Sequence, residues 1–150
     1  MVFPLPDPMR RALDIAKQAA ADGEVPVGAV VMRDGKVIAT GTNATRSGND
    51  PTAHAEIVAI RAACVALGTD RLADCDLWVT LEPCAMCAGA IAHARIARLF
   101  YAAADPKGGG VEHGARVFSH PTCHHRPDIT TGLGEAESAA LLRSFFVAKR

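Results

Sequence analysis

Apolar positions recur along the chain with two spacings, and the change from one to the other marks out its elements. Met9, Leu13, Ala16 and Ala20 share one face at helical spacing and predict a helix from Pro8 to Ala21. Asp7 is available to cap it, Pro8 suits its first position and Gly23 ends it. Val25 to Met32 and Lys36 to Gly41 read as two strands, and Arg33-Asp34-Gly35 between them signals a tight turn, so the pair is a β-hairpin. A polar loop follows at residues 42–51. A second helix is predicted from Pro51 or Thr52 to Leu67, with Ile57, Ile60, Cys64 and Leu67 as its buried stripe. Asp76 to Leu81 is a short apolar strand, and a third helix starts at Pro83 or Cys84 and ends near His93. Ala97 to Ala102 is a further strand, because Leu99, Phe100 and Tyr101 are good strand formers. Ala103 to Asp128 is rich in Gly, Pro and His, and a loop of that length in a compact domain is usually functional. A last helix follows Gly134 and reaches Ala148, with Ala139, Leu142, Phe145 and Phe146 as its apolar face. Helices alternating with strands in this order predict an α/β fold, a mixed sheet covered on both faces.

The 150 residues suit one domain, and an apolar fraction of 49% is enough for one core. Sixteen basic residues balance 16 acidic ones, so any nucleic-acid binding must use a local patch rather than a global charge. No apolar run approaches a membrane span. Met1 to Pro8 carries three prolines and lacks the basic start and apolar stretch of a signal peptide, which makes the cytoplasm the expected location. The five cysteines are odd in number in a chain of this length without a secretion signal, so a disulfide scaffold is not expected.

Two short motifs carry chemistry: His54-Ala55-Glu56 and Pro83-Cys84-Ala85-Met86-Cys87. Cys84 and Cys87 lie three apart at a helix start, on one face, where they can share a metal. The positive end of the helix dipole favours the thiolate form that binds it. Alone, Cys-x-x-Cys is equally a redox pair or half of a structural four-ligand zinc site. His54 and Glu56 discriminate. Residues two apart diverge in mid-helix, but at a first turn they can converge on a metal beyond the helix end, and Asp50-Pro51-Thr52 offers the cap and start just before them. His54, Cys84 and Cys87 make three protein ligands. A catalytic zinc keeps its fourth position for water, whereas a structural zinc is closed by four. Cys123, His124 or His125 in the long loop are the candidates for such a fourth ligand. Glu56 is not needed as a ligand and is placed to move protons between a metal-activated water and a substrate.

These residues resemble the cytidine deaminase-like superfamily. The longer blocks Glu24 to Val30, Asp50 to Ile57 and Val79 to Ile91, with Asp105-Pro106-Lys107 and Phe145-Phe146, resemble the bacterial tRNA adenosine deaminase family over nearly the whole chain. The resemblance implies a three-layer α/β/α fold with a mixed, roughly five-stranded sheet, one domain over residues 1–150, and one zinc ion per chain. It implies hydrolytic conversion of the wobble adenosine of a tRNA anticodon loop to inosine, by a homodimer. Carried over by position, Asn43 is expected to hydrogen-bond the flipped base, the backbone around Ala55 and Cys84 to hold the reacting groups, and the segment Asp105 to Lys107 to lie near the RNA. The loop Gly108 to His113 departs from the family pattern in its spacing and its Glu112-His113 pair.

Other readings stay open at the level of sequence. Asn43 can be a turn residue, and His120, His124 and His125 can be loop hydrogen-bonders or touch RNA. Phe145 and Phe146 can stack on a nucleotide or join the core. Lys107, Arg143, Lys149 and Arg150 are the candidates for a local basic patch. The Met86 to Ile91 stretch has no polar face, so it is expected to be covered on both sides, with a second chain as the simplest cover. Two competing functions share some of these features: a deaminase of a free base, nucleoside or nucleotide, and a zinc-stabilised binding domain with no enzymatic role.

Overall fold

The computed structural model describes residues 4–149. Its elements run α1 (Asp7–Ala21), β1 (Gly28–Arg33), β2 (Lys36–Thr42), α2 (Ala55–Leu67), β3 (Asp76–Leu81), α3 (Ala85–Ala94), β4 (Arg98–Ala103), β5 (Asp128–Thr131) and α4 (Glu135–Ala148), with a 3-10 turn at Val117–Ser119. One five-stranded sheet has the order β2-β1-β3-β4-β5. β1 is antiparallel to both β2 and β3, while β3, β4 and β5 run parallel. The expected three-layer α/β/α architecture with a mixed sheet is therefore present.

Period-two alternation sorts the strand residues between two cores. Ala29, Val31, Leu77, Val79, Leu99 and Tyr101 face α2 and α3 and form the larger cluster with Ala59, Ala63, Ala88 and Ile91. Val30, Trp78 and Ala102 point the other way, against Met9, Ala12 and Leu13 of α1. Trp78 stacks on Phe100 on that side, ring centroids 3.8 Å apart. α4 joins α1 through Glu137, whose carboxylate pairs with Arg10 in a two-pronged ion pair and with Lys17 at 3.3 Å.

Several boundaries differ from the sequence expectation. Pro6, not Asp7, is the N-cap of α1, and Asp7 sits inside the first turn. β1 begins at Gly28, because Val25 to Val27 fold into a local turn closed by a Val27 N–H to Val25 O bond of 2.8 Å. α2 begins at Ala55, not at Pro51 or Thr52. The Asp50 carboxylate takes hydrogen bonds from the Thr52 N–H at 2.9 Å and its hydroxyl at 2.7 Å, building an Asx turn that delays the helix. α3 likewise starts at Ala85. β5 lies at the end of the stretch expected to be loop. Its four residues are all exposed, so no apolar run announced it, and pairing with β4 alone makes it a strand. In α2, Cys64 and Leu67 are only half-buried, and Ala55, Ala59 and Ala63 carry the contact with the sheet instead. The expected apolar face of α4 is only partly covered: Ala139, Leu142 and Phe145 are half-buried. Ser138 is its buried residue, donating to the Thr80 carbonyl at 2.5 Å, and Phe146 is 51% exposed.

Candidate active site

The parallel strands end on one side of the sheet, and the loops leaving them gather the site there. From β3 the chain turns through Glu82 and Pro83 to Cys84, the N-cap of α3. His54 is the N-cap of α2 and has extended backbone, while Glu56 lies in the first helical turn. That break in conformation lets two residues at spacing two face the same point.

The His54 Nδ1 is 3.5 Å from the Cys84 sulfur and 3.5 Å from the Cys87 sulfur. Among the described residues these form the group able to share a metal, with all donor atoms within 4.8 Å of one another. Tetrahedral zinc with bonds of ~2.3 Å to sulfur and ~2.1 Å to nitrogen requires a sulfur–nitrogen separation of about 3.6 Å. The donor set and its spacing therefore fit zinc, and the two helix N-termini add positive potential that favours thiolates. The Cys84 thiol is lowered to about 5, chiefly because its sulfur accepts a hydrogen bond from Cys87, with His54 assisting. Cys87 is raised by donating that bond and by burial. A divalent cation bound here would take the place of the shared proton. Cys123 lies elsewhere, its thiol donating to the His125 carbonyl at 3.2 Å, and the loop histidines are outside the cluster. Among the described residues the cluster thus offers three ligands, the number that leaves a tetrahedral zinc one open position.

Glu56 is 4% exposed, and burial pushes its carboxyl up to about 7, with its own backbone N–H and the Cys87 thiol pulling the other way. A carboxyl poised near neutrality can both take and return a proton. It borders a cavity of about 300 Å³ lined by Val25, Val27, Asn43, Thr45, His54, Glu56, Leu81, Glu82, Cys84, Asp105 and Gly108.

The remaining candidates divide. Asn43 is 7% exposed and lines the cavity, its amide nitrogen donating to Glu24 at 3.3 Å. Ala55 is fully buried, and its side chain does not line the cavity. As the first residue of α2 its N–H has no partner within the helix. Lys107 is exposed at the rim, beside the lining residues Asp105 and Gly108. A second cavity of about 400 Å³ shares Val25, Leu81 and Asp105 with the first and is walled by Leu142, Arg143 and Phe146 of α4. The Lys149 ammonium stands 5.3 Å over the Phe145 ring, and Arg150 lies outside the described residues.

Two buried acids had no role assigned from sequence. Glu24, 5% exposed, also accepts from the Ser47 N–H at 2.8 Å and so anchors the loop behind Asn43. Glu82, 2% exposed, accepts hydrogen bonds from the segment 105–113. Burial raises its pKa, but those N–H groups and His113 outweigh burial and hold it below the ordinary value. A lone acid between an apolar strand and Pro83-Cys84 was the available signal.

Comparison with known proteins finds a zinc-binding region of the deaminase type. The family model for the cytidine and deoxycytidylate deaminase zinc-binding region matches residues 6–103, and the chain belongs to that class of zinc-dependent hydrolytic enzymes. The tRNA-specific adenosine deaminase of Agrobacterium fabrum is 61% identical over 142 residues, covering 95% of this chain and 93% of its own length. The enzyme of the same name from Rickettsia bellii is 48% identical over 140 residues, 92% of this chain and 97% of its own. Within the class, the chain is therefore a member of the tRNA-specific adenosine deaminase family. A solved structure from work on A-to-I editing by tRNA:A34 deaminases at the wobble position superposes with a TM-score of 0.89 at 60% identity, covering 90% of this chain and 98% of that one. The guanine deaminase of Nitrosomonas europaea superposes with a TM-score of 0.82 at 27% identity, covering 98% and 87%.

Proposed function

We propose that the chain hydrolyses the 6-amino group of the wobble adenosine in a tRNA anticodon loop, giving inosine and ammonia. The observation that carries the chemistry is the buried Glu56 carboxyl beside the His54, Cys84 and Cys87 cluster, bordering a cavity. His54, Cys84 and Cys87 would hold one zinc, which would supply an activated water as nucleophile by lowering its pKa toward ~7. Glu56 would take one proton from the attacking water and give it to the ring nitrogen next to carbon 6, then move the remaining hydroxyl proton to the amine, which leaves as ammonia while carbon 6 keeps the oxygen. Asn43 orients the base, held from behind by Glu24. The N–H groups at the starts of α2 and α3, around Ala55 and Cys84, face the reacting group.

The substrate assignment rests on family membership, since guanine deaminases share the fold. A base in an anticodon loop costs little to unstack and extrude. Phosphate contacts away from the base supply the binding energy that positions carbon 6, so free adenosine is a poor substrate. Lys107 at the rim, with Arg143 of α4 and Lys149 at its C-cap, provides a local basic footprint on a net-neutral chain. The working form is a homodimer. On α3, Cys87, Ala88 and Ile91 pack inward while Met86 is 39% exposed, and a Cβ built on Gly89 meets open space. This outward apolar face is the one a second copy covers. Among the described residues no helix is long and apolar enough to cross a membrane. With all five cysteines free, a reducing cytoplasm is the proposed location.

Incubation with an anticodon stem-loop, and separately with free bases and nucleosides, tests the reading. Inosine is expected at the wobble position, with little product from free adenosine. Efficient ammonia release from guanine, cytosine or a nucleoside, with tRNA untouched, would leave only the deaminase chemistry standing.

A further inference from the structure

The loop Gly108 to His113 is the segment whose residues departed from the family pattern, and it packs on the most heavily hydrogen-bonded carboxylate in the site. The Glu82 side chain is fully buried. One of its oxygens accepts from the N–H groups of Val111 at 3.1 Å, Glu112 at 2.9 Å and His113 at 3.1 Å. The other accepts from the Asp105 N–H at 3.0 Å and from the His113 Nδ1 at 2.7 Å. Both ends of one segment thus close on a single side chain.

The segment is packed tightly where it lies. A Cβ on Gly109 would lie 2.6 Å from the Asp105 carbonyl and closer still to the Glu82 carboxylate. A Cβ on Gly110 would lie 2.5 Å from the Ala85 nitrogen and 2.8 Å from the Cys84 carbonyl carbon. Gly110 donates to the Pro83 carbonyl at 2.8 Å, and Glu112 accepts from the Tyr101 hydroxyl. The glycines let the loop lie flat on the start of α3, and the Glu112-His113 pair locks its far end. Asp105 and Gly108, at its near end, form part of the cavity wall.

We propose that Glu82 and His113 are positioning residues that clamp residues 105–113 into one wall of the substrate cavity. The role rests on the proposed deaminase reading. The segment carries no metal ligand and no proton-moving group, so loosening it weakens substrate binding rather than the chemical step. His113 is the residue to test, because its side chain is 35% exposed and its loss leaves Glu82 with four backbone donors.

In His113→Leu, amide exchange of the 105–113 peptide should quicken at least tenfold. KM for an anticodon stem-loop should rise about tenfold, with kcat within threefold and zinc content unchanged. His113→Asn places an amide N–H where Nδ1 stood and should restore both readouts to within threefold of the parent. The clamp is overturned if exchange and KM in His113→Leu match the parent. It is equally overturned if kcat falls with KM unchanged, or if the Asn variant is no better than Leu. Amide exchange is read without substrate, and the parent enzyme's own turnover tests the deaminase reading, so the two ideas fail separately.

Discussion

Gly41→Ala is expected to damage catalysis from a position that touches no substrate. Gly41 lies on β2 opposite Ala29 of β1, and α2 crosses directly over it. A Cβ built there stands 2.6 Å from the Ala59 nitrogen and closer still to the Ala55 carbonyl, where ordinary contact begins at 3.4 Å. Neither neighbour is a flexible side-chain tip. Both are backbone of α2, so the first two turns of that helix must back away by about 0.8 Å or more. That part of α2 carries Glu56, and His54 caps it, whereas Cys84 and Cys87 sit on α3 and stay in place. Overpacking of this kind costs ~1–3 kcal/mol. Two kcal/mol corresponds to roughly 4–8 °C in melting temperature for a chain of this size. Displacing catalytic groups by ~1 Å can cost ~100-fold in rate. Single-turnover deamination of an anticodon stem-loop, a thermal melt and zinc analysis on the same sample measure all three. A variant with the parental melting temperature and a rate within threefold would show that this contact does not hold α2 in register with α3.

Four further outcomes follow from the same geometry. Glu56→Gln should retain one equivalent of zinc yet lose ~100-fold to ~10,000-fold in kcat, and loss of metal instead would make Glu56 a ligand. Lys107→Glu should weaken binding of the stem-loop and lower its salt dependence by about one ion, with zinc unchanged, as read by titration at several salt concentrations. Arg10 and Lys17 hold the Glu137 carboxyl below its ordinary value of 4.5. A depressed folded value stabilises above the unfolded one and is lost as pH falls through the folded one. Glu137→Gln should therefore cost up to ~1 kcal/mol at pH 7, discounted because the pair is partly exposed, and the cost should shrink as pH falls below 4.5, as followed by urea melts. Light scattering at micromolar concentration should give twice the chain mass, and a monomer mass would remove the proposed interface on α3.

Local pattern was enough for much of this molecule. Helical and alternating periodicities located four helices and four of the five strands, because each buries a face whose spacing is written in consecutive residues. The metal cluster was legible for a similar reason: Cys84 and Cys87 are neighbours on one turn, and His54 and Cys84 both stand at helix starts. What stayed hidden depends on partners distant along the chain. β5 exists only through β4, with four exposed residues that give no signal of their own. The turn at Asp50 moved the start of α2 to Ala55, which is what aims His54 and Glu56 at one point. The resemblance placed Asn43 at the base, but Glu24, 19 residues away, is what holds its amide. Glu82 became the hub of the 105–113 wall because its carboxylate was buried where five donors, between 23 and 31 residues further on, could satisfy it. A buried charge must find such donors, and the chain alone does not say which ones the fold will bring.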